Sequence, residues 1–150
     1  MNKYHARRTT FGDEVFDSTV ERDYHQFLCS KQQRGEIRSF CRQPKYVLID
    51  GFVKNGRPYQ AITYTADFEV ILPDGTVQVV DVKGMETPTS QLKRKLFEWR
   101  YPELTLIRIR YVKKFGGWIT TEEYHRQKRA ARKAEKRLAE RAVPDARRRR

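Results

Sequence analysis

The chain has 150 residues, with 32 Lys and Arg against 19 Asp and Glu, a net charge of +13 and 38% hydrophobic residues. This length predicts one domain, no apolar run is long enough to span a membrane, and the polar start lacks a signal-peptide core. Two cysteines, Cys29 and Cys41, are too few and too widely spaced for a structural zinc site. We therefore expect a cytoplasmic protein with no membrane attachment.

The positive charge is concentrated near the C-terminal end. Residues 125–150 hold 12 Lys and Arg against 3 Asp and Glu, a net of +9, whereas the first 124 residues hold 20 against 16, a net of +4. Clustered cations favour a polyanion as partner, because they displace counterions from a phosphate backbone. The sequence thus predicts three parts, which are a basic arm over 1–16, a core over 17–120 and a basic helical tail over 121–150.

Apolar spacing and turn residues predict the elements in chain order. After the arm, which has no sustained period, helices are expected over 18–34, from Thr87-Pro88 to the stop at Tyr101-Pro102, and over 121–141. The apolar stripe of the second helix is expected to be Leu92, Leu96 and Trp99. Strands are expected over 37–49, 61–72, 77–83 and 104–112, with a loop over 54–58. The order α-β-β-β-α-β is typical of an α/β or α+β domain with a mixed sheet.

The turn Pro73-Asp74-Gly75 places two acidic residues opposite each other. In a hairpin centred on Asp74, Asp67 faces Asp81. The apolar neighbours of the pair predict two strands that are largely buried, and these neighbours are Ala66, Phe68, Val70, Val80 and Val82. Like charges in such a pair are destabilising unless the carboxylates share a proton or bind a cation, and magnesium takes one or two protein carboxylates. Lys83 projects from the same face as Asp81 and could hold the attacking water or neutralise developing charge.

A structural interpretation of the same residues stays open. Lys83 and Asp81 could form an ordinary surface ion pair on a twisted hairpin. The predicted pairing also depends on the register of the hairpin, because a shift of one residue would send Asp67 to the other face of the sheet.

These residues resemble the PD-(D/E)XK nuclease superfamily, in particular a phage and prophage endonuclease family related to Holliday-junction-resolving enzymes. The resemblance extends from Lys3 to about Val112. Its motifs are Asn2-Lys3-Tyr4 with Ala6, Phe16-Asp17-Ser18 with Glu21, Gln43-Pro44-Lys45, Ile62-Thr63-Tyr64 with Ala66-Asp67-Phe68, Asp81-Val82-Lys83-Gly84, and Lys93 to Phe97 followed by Tyr101-Pro102. Thr65 stands where the superfamily name would put Pro, and the second motif carries Asp in place of the commoner Glu.

The resemblance implies a restriction-endonuclease-like core and a magnesium-dependent DNA endonuclease, with manganese as a substitute metal. Asp67 and Asp81 would bind the metal, Glu21 would complete the site, and Lys83 would activate or position water. For Glu21 a second role is open, because Ser18-Thr19-Val20-Glu21 is also a capping box at the start of the first helix.

DNA is the expected partner, through phosphates more than base edges. Candidate contacts lie in the arm, beside the site and in the tail, and each has a plain alternative as a solvated or structural residue. They are Lys3, Arg7, Arg8, Gln43, Lys93, Arg94, Lys95, Arg129, Arg132 and Lys133. The family analogy adds duplex or branched DNA as substrate, phage recombination or replication in the cytoplasm of a bacterial host, and a homodimer. The alternative is a nonenzymatic nucleic-acid-binding protein that uses its basic tail.

Overall fold

The computed structural model describes residues 9–82 and 87–142 and divides the chain into two compact units, with the boundary between Ile109 and Arg110. The described residues form three helices and several sheets, a mixed α/β arrangement of the α+β class. None of the helices in these ranges is long and apolar enough to cross a membrane.

The central sheet of unit 1 is mixed, as the order of elements predicts. Strands β3 (Ser39–Arg42), β8 (Phe68–Ile71) and β9 (Val77–Val82) are antiparallel neighbours, and β10 (Thr105–Val112) pairs with β9 in parallel. A parallel pair needs a crossover connection. Helix α2 (Pro88–Arg100) lies in that connection.

Helix α1 (Thr19–Gln33) confirms the predicted first helix to within a residue at each end. Ser18 is its N-cap, and its buried residues are Tyr24 and His25 and, one turn later, Leu28. The Tyr24 ring meets the Phe68 ring of β8 edge-on, with centroids 5.3 Å apart. Ring contacts of this kind attach the helix to the sheet beside residue 67.

Each of the first two predicted strands is broken in the middle, and the breaks lie opposite each other. One separates β3 from β4 (Lys45–Ile49) at Gln43-Pro44, and the other separates β7 (Ile62–Thr65) from β8 at Ala66-Asp67. The Gln43 N–H still donates to the Asp67 carbonyl oxygen at 2.9 Å, and the Ala66 N–H to the Pro44 carbonyl oxygen at 3.1 Å. Gln43 has a φ of +50°, in the left-handed region that bends the strand.

The expected loop over 54–58 is wrong, because this stretch forms a hairpin of β5 (Phe52–Lys54) and β6 (Arg57–Tyr59). Its two turn residues, Asn55 and Gly56, have φ values of +52° and +71°. Positive φ at both positions is the geometry of a type I′ turn, for which Asn-Gly is the favoured sequence. The Asn55-Gly56 pair therefore indicated this hairpin in the sequence.

The N-terminal arm is also more ordered than expected over residues 9–16. Strands β1 (Thr9–Phe11) and β2 (Glu14–Phe16) form a hairpin around Gly12, whose φ is +59°. Phe16 is only 1% exposed, and the Arg42 guanidinium lies 3.9 Å from its ring centroid. Strands of three residues are too short to show an alternation of apolar and polar residues, so the sequence did not predict this hairpin. Burial of the Phe16 ring holds it in place.

The buried face of α2 agrees with the predicted stripe at Leu96, which packs against the core, and differs from it at the other two positions. Leu92 and Trp99 are 58% and 75% exposed, whereas Phe97 is fully buried. The rings of Tyr46 and Tyr64 pack around Phe97, with centroids 5.0 and 5.4 Å away. Because these rings from β4 and β7 form a socket for one large side chain, the helix presents Phe97 to the core.

Unit 2 contains the end of β10, a 3-10 turn (Lys113–Phe115), β11 (Gly117–Thr120) and helix α3 (Thr121–Ala142). The last helix confirms the prediction for the tail as far as residue 142. The Thr120 hydroxyl oxygen accepts a hydrogen bond from the Glu123 N–H at 3.1 Å and caps the helix. From residue 128 to residue 140 every side chain of α3 is exposed, so the helix is not a core element.

Candidate functional site

The two central aspartates lie where the hairpin prediction placed them. Strands β8 and β9 pair Phe68 with Val80 and Ile71 with Val77, which is the register centred on Asp74. The next position in that register sets Asp67 against Asp81. We call the two paired segments 39–49 and 62–71 the ribbon. Asp67 is at the bend just before β8, so its position depends on the break in the ribbon as well as on the turn.

Each aspartate is held by the backbone of the other strand. The Val82 N–H donates to Asp67 Oδ2 at 2.7 Å, and the backbone N–H of Asp67 donates to the Asp81 carboxylate. The Tyr64 hydroxyl donates a hydrogen bond to Asp81 Oδ2. Donors from three places fix the orientation of both carboxylates and leave them side by side.

The surroundings of the Asp67 and Asp81 carboxyl groups disfavour their ionised forms. Burial raises the pKa of Asp67 to about 7, and the negative charges of Asp81 and Glu21 add to this effect. Burial also raises the pKa of Asp81, against the Tyr64 hydrogen bond and the positive charge of Arg108. Two desolvated carboxyl groups of raised pKa are an arrangement that a divalent cation would relieve.

Glu21 serves as part of the helix cap and lies within electrostatic range of the aspartates. The Ser18 hydroxyl accepts from the Glu21 N–H at 3.2 Å and donates to Glu21 Oε1 at 2.8 Å. This differs from the expected capping box, in which the Glu21 carboxylate would accept from the Ser18 backbone N–H. Burial raises the pKa of Glu21, and its charge in turn raises the pKa of Asp67. Glu21 therefore belongs to the helix cap and acts electrostatically on Asp67, and its role as a metal ligand stays a prediction.

Asp17 is a neighbour of the site to which the sequence assigned no role. Its negative charge raises the pKa of both Glu21 and Asp67. It precedes the N-cap Ser18, and β2 ends at the residue before it. The available signal was the spacing, because Asp17 lies four residues before Glu21 and both flank the same helix start.

Tyr64 and Arg108 were also missed, and Arg94 was assigned to DNA. Arg108 is the partner of Asp81 in the parallel register of β9 and β10, and its positive charge lowers the pKa of Asp81. Arg94 of α2 lowers the pKa of Asp81 and of the Tyr64 hydroxyl, so it lies near the acidic pair. Lys93 is half-buried and Lys95 exposed on the same helix.

The remaining predicted residues are scattered. Gln43 is exposed, and its backbone N–H holds the Asp67 carbonyl, so its observed role is structural. The predicted DNA contacts on α3 are all exposed, and they are Arg129, Arg132 and Lys133. Four predictions fall outside the described residues, namely Lys3, Arg7, Arg8 and Lys83.

The donor chemistry at the acidic pair fits magnesium or manganese. Within residues 9–82 and 87–142, no three His, Cys, Asp or Glu side chains converge into a ready metal cage. Magnesium does not require one, because it commonly takes one or two carboxylates and completes its shell with water and phosphate oxygens. Asp67 and Asp81 can supply those two carboxylates, with Glu21 adding negative charge beside them.

A family model described as "Protein of unknown function (DUF1064)" matches residues 1–117. The match covers the acidic pair, Glu21, Tyr64 and both flanking arginines, and it ends before helix α3. No curated protein and no solved structure matches the chain. The chain therefore belongs to the DUF1064 family.

Proposed function

We propose that the protein is a magnesium-dependent DNA endonuclease that hydrolyses phosphodiester bonds. The observation that carries this proposal is the pair Asp67 and Asp81, held side by side by fixed donors although burial raises the pKa of both carboxyls. A fold has no structural reason to desolvate two adjacent carboxyl groups, because the cost is several kcal/mol. A metal-binding role explains their position.

The order of elements supports a restriction-endonuclease-like core. If each broken strand of the ribbon is counted as one, unit 1 runs α1, two ribbon strands, β9, α2 and β10 after its N-terminal hairpin. In this arrangement Asp67 comes from the second core strand and Asp81 from the third. That distribution agrees with the resemblance of the two motifs.

The residues around the acidic pair have separate roles in the proposed hydrolysis. A magnesium ion held by Asp67 and Asp81 would supply a Lewis acid for the scissile phosphate and lower the pKa of a water nucleophile. Tyr64 orients the Asp81 carboxylate, and the Val82 N–H orients that of Asp67. Glu21 adds a third negative charge at the side where α1 begins, and Lys83 would position water or neutralise charge.

The distribution of charge supports DNA as the substrate. The chain has a net charge of +13, and both Arg94 and Arg108 act electrostatically on Asp81. Guanidinium groups beside a carboxylate pair can donate hydrogen bonds to phosphate oxygens when a strand enters, since the planar guanidinium matches phosphate geometry in a bidentate way. Branched DNA, a homodimer and a phage role in a bacterial cytoplasm complete the proposal by analogy with the resembled family.

A nonenzymatic nucleic-acid-binding protein is the second candidate. Helix α3 favours it, because residues 121–142 hold eight Lys and Arg against four Glu. An exposed basic helix binds phosphates without any catalytic group.

A nicking assay on supercoiled plasmid separates the two candidates. Wild type is expected to nick DNA with magnesium or manganese and not with EDTA, and Asp81→Asn is expected to lose the activity. Asp74→Asn is the matched control, because Asp74 lies in the turn of the same hairpin and accepts the Thr76 N–H at 2.9 Å. Equal metal-dependent nicking by wild type and Asp81→Asn would contradict the proposed site. DNA binding without any cleavage would favour the second candidate.

The metal and substrate assignments need separate measurements. Calorimetric titration with magnesium or calcium should give a binding signal that Asp67→Ala loses, and an unchanged signal would remove Asp67 from the metal site. Cleavage mapping on a four-way junction and on a linear duplex of the same sequence tests the branched substrate. Faster cleavage of the junction is expected.

A further inference from the structure

Unit 2 contains a surface cavity of about 330 Å³ that the proposed nuclease site does not use. It lies between the 3-10 turn and the first half of α3, so all of its lining belongs to this unit. Two aromatic rings and three cations dominate the lining, which includes Val112, Lys114, Phe115, Tyr124, Lys128 and Arg132. Glu135 contributes the single carboxylate in the lining.

Tyr124 is the central ring of this cavity. The Arg110 guanidinium lies 4.0 Å from its centroid, and the Phe115 ring lies 6.0 Å away at an interplanar angle of 63°. Lys128 Nζ lies 5.8 Å from the same centroid. Contacts with Arg110 and Phe115 fix the position of the Tyr124 ring, and this ring lies close to positively charged side chains.

This combination fits a nucleotide. Aromatic side chains bind nucleobases by stacking, which is tolerant of sequence because every base has a flat face, and nearby cations bind the phosphates. The charges of Lys114, Lys128 and Arg132 exceed that of Glu135, so the cavity complements an anion. Its volume lies at the small end of the range for ligand pockets, which suits one nucleotide and excludes a duplex.

We infer that this cavity binds one unpaired nucleotide of a DNA strand, with the base against Tyr124 and Phe115 and the phosphates at Lys114, Lys128 and Arg132. Bases within a duplex are stacked on each other and cannot offer a face to these rings. The inference rests on the proposed function only in taking DNA as the polymer. It assigns unit 2 a preference for frayed, gapped or branched DNA.

The test measures single-stranded DNA binding by the full-length chain in EDTA, so that cleavage plays no part. The probe is a short oligothymidylate carrying one 2-aminopurine, whose fluorescence is quenched when it stacks on an aromatic ring. We expect quenching by wild type, and a loss of quenching with about tenfold weaker binding for Tyr124→Leu. Tyr124→Phe keeps the ring and should keep the quenching.

Two controls separate a site from general charge attraction. Arg137 follows Arg132 by five residues on the same exposed helix, which turns it well away from the cavity. Arg132→Gln should therefore weaken binding more than Arg137→Gln, and an equal loss would overturn the inference. Tyr111→Leu removes an exposed ring that does not line the cavity, and should leave the quenching intact.

Other results of these measurements also test whether the cavity binds an unpaired nucleotide. Unchanged quenching and affinity in Tyr124→Leu would overturn the inference even if wild type nicks plasmid. If Tyr124→Leu does not fold, the exposed pair Lys128→Gln and Arg132→Gln replaces it, with the same loss of affinity expected. Competition by free deoxyadenosine monophosphate as strong as that by the oligonucleotide would assign the cavity to free nucleotides and overturn the DNA assignment. Failure of the nicking assay, with quenching retained, would refute the proposed function and leave this site standing.

Discussion

Replacing Asp67 by asparagine should stabilise the metal-free protein at neutral pH. Burial, with the charges of Asp81 and Glu21, raises the pKa of the Asp67 carboxyl from its ordinary value of 3.8 to about 7. An amide has nearly the same shape and carries no charge. Its oxygen can still accept from the Val82 N–H, which lies 2.7 Å from Asp67 Oδ2. The substitution thus removes an unfavourable charge and preserves the local hydrogen bond.

The expected magnitude follows from linkage. A rise in pKa from 3.8 to about 7 corresponds to about 4 kcal/mol at about 1.4 kcal/mol per unit. Because the side chain is only half-buried, water reaches it, and we expect about 2 kcal/mol, or about 4 to 8 °C in melting temperature. The folded state binds the proton more tightly than the unfolded state. Wild type therefore loses stability relative to the variant as pH rises from about 4 to about 7, and the difference is constant above that.

The assay is urea denaturation in EDTA at pH 4 and at pH 8. The two proteins should have similar free energies of unfolding at pH 4, and Asp67→Asn should be the more stable at pH 8. Asp74→Asn is the control of opposite sign, because hydrogen bonds from Thr76 lower the pKa of Asp74. Magnesium at about 100 times its dissociation constant should stabilise wild type by about 2.7 kcal/mol and should not stabilise Asp67→Asn. An Asp67→Asn protein that is no more stable than wild type at pH 8 would refute the reasoning.

Three further substitutions test other parts of the unit that carries the site. Tyr64→Phe removes the hydroxyl that orients Asp81, so nicking should slow by about 10- to 100-fold with near-normal metal-free stability; an unchanged rate would show that the hydrogen bond does not matter. Ser18→Ala removes the N-cap of α1 and should cost about 1 kcal/mol in urea denaturation, and no loss would contradict the capping role. Gly51→Ala would place a methyl group 3.2 Å from the Tyr59 carbonyl oxygen, so the melting temperature should fall; a rise would mean that the ribbon yields there without strain.

The local parts of the fold were readable from the sequence. The turn Pro73-Asp74-Gly75 fixes a register because turn geometry and the alternation of apolar residues agree, and that register is observed from Phe68 to Ile71. The first and last helices were likewise placed by caps and composition. In these cases the determining interactions join residues close together in the chain.

The errors occurred where a partner distant in the chain decides the structure. The central strands break at Gln43-Pro44 and Ala66-Asp67 because each break accommodates the other through hydrogen bonds across the ribbon. Neither segment alone contains that information. Similarly, α2 presents Phe97 to the core because rings from two other strands form its socket.

The sequence by itself determined the opposed aspartates of the candidate site, Asp67 and Asp81, and the excess of basic residues near the C-terminal end, while Glu21 entered through the family resemblance. Only the tertiary structure decided what surrounds them. Arg108 faces Asp81 through the register of a parallel pair whose strands are joined by a helix, and Tyr64 reaches Asp81 across the bend in the ribbon. Hydrogen bonds and charge interactions depend on distance in space, and packing of remote segments sets that distance.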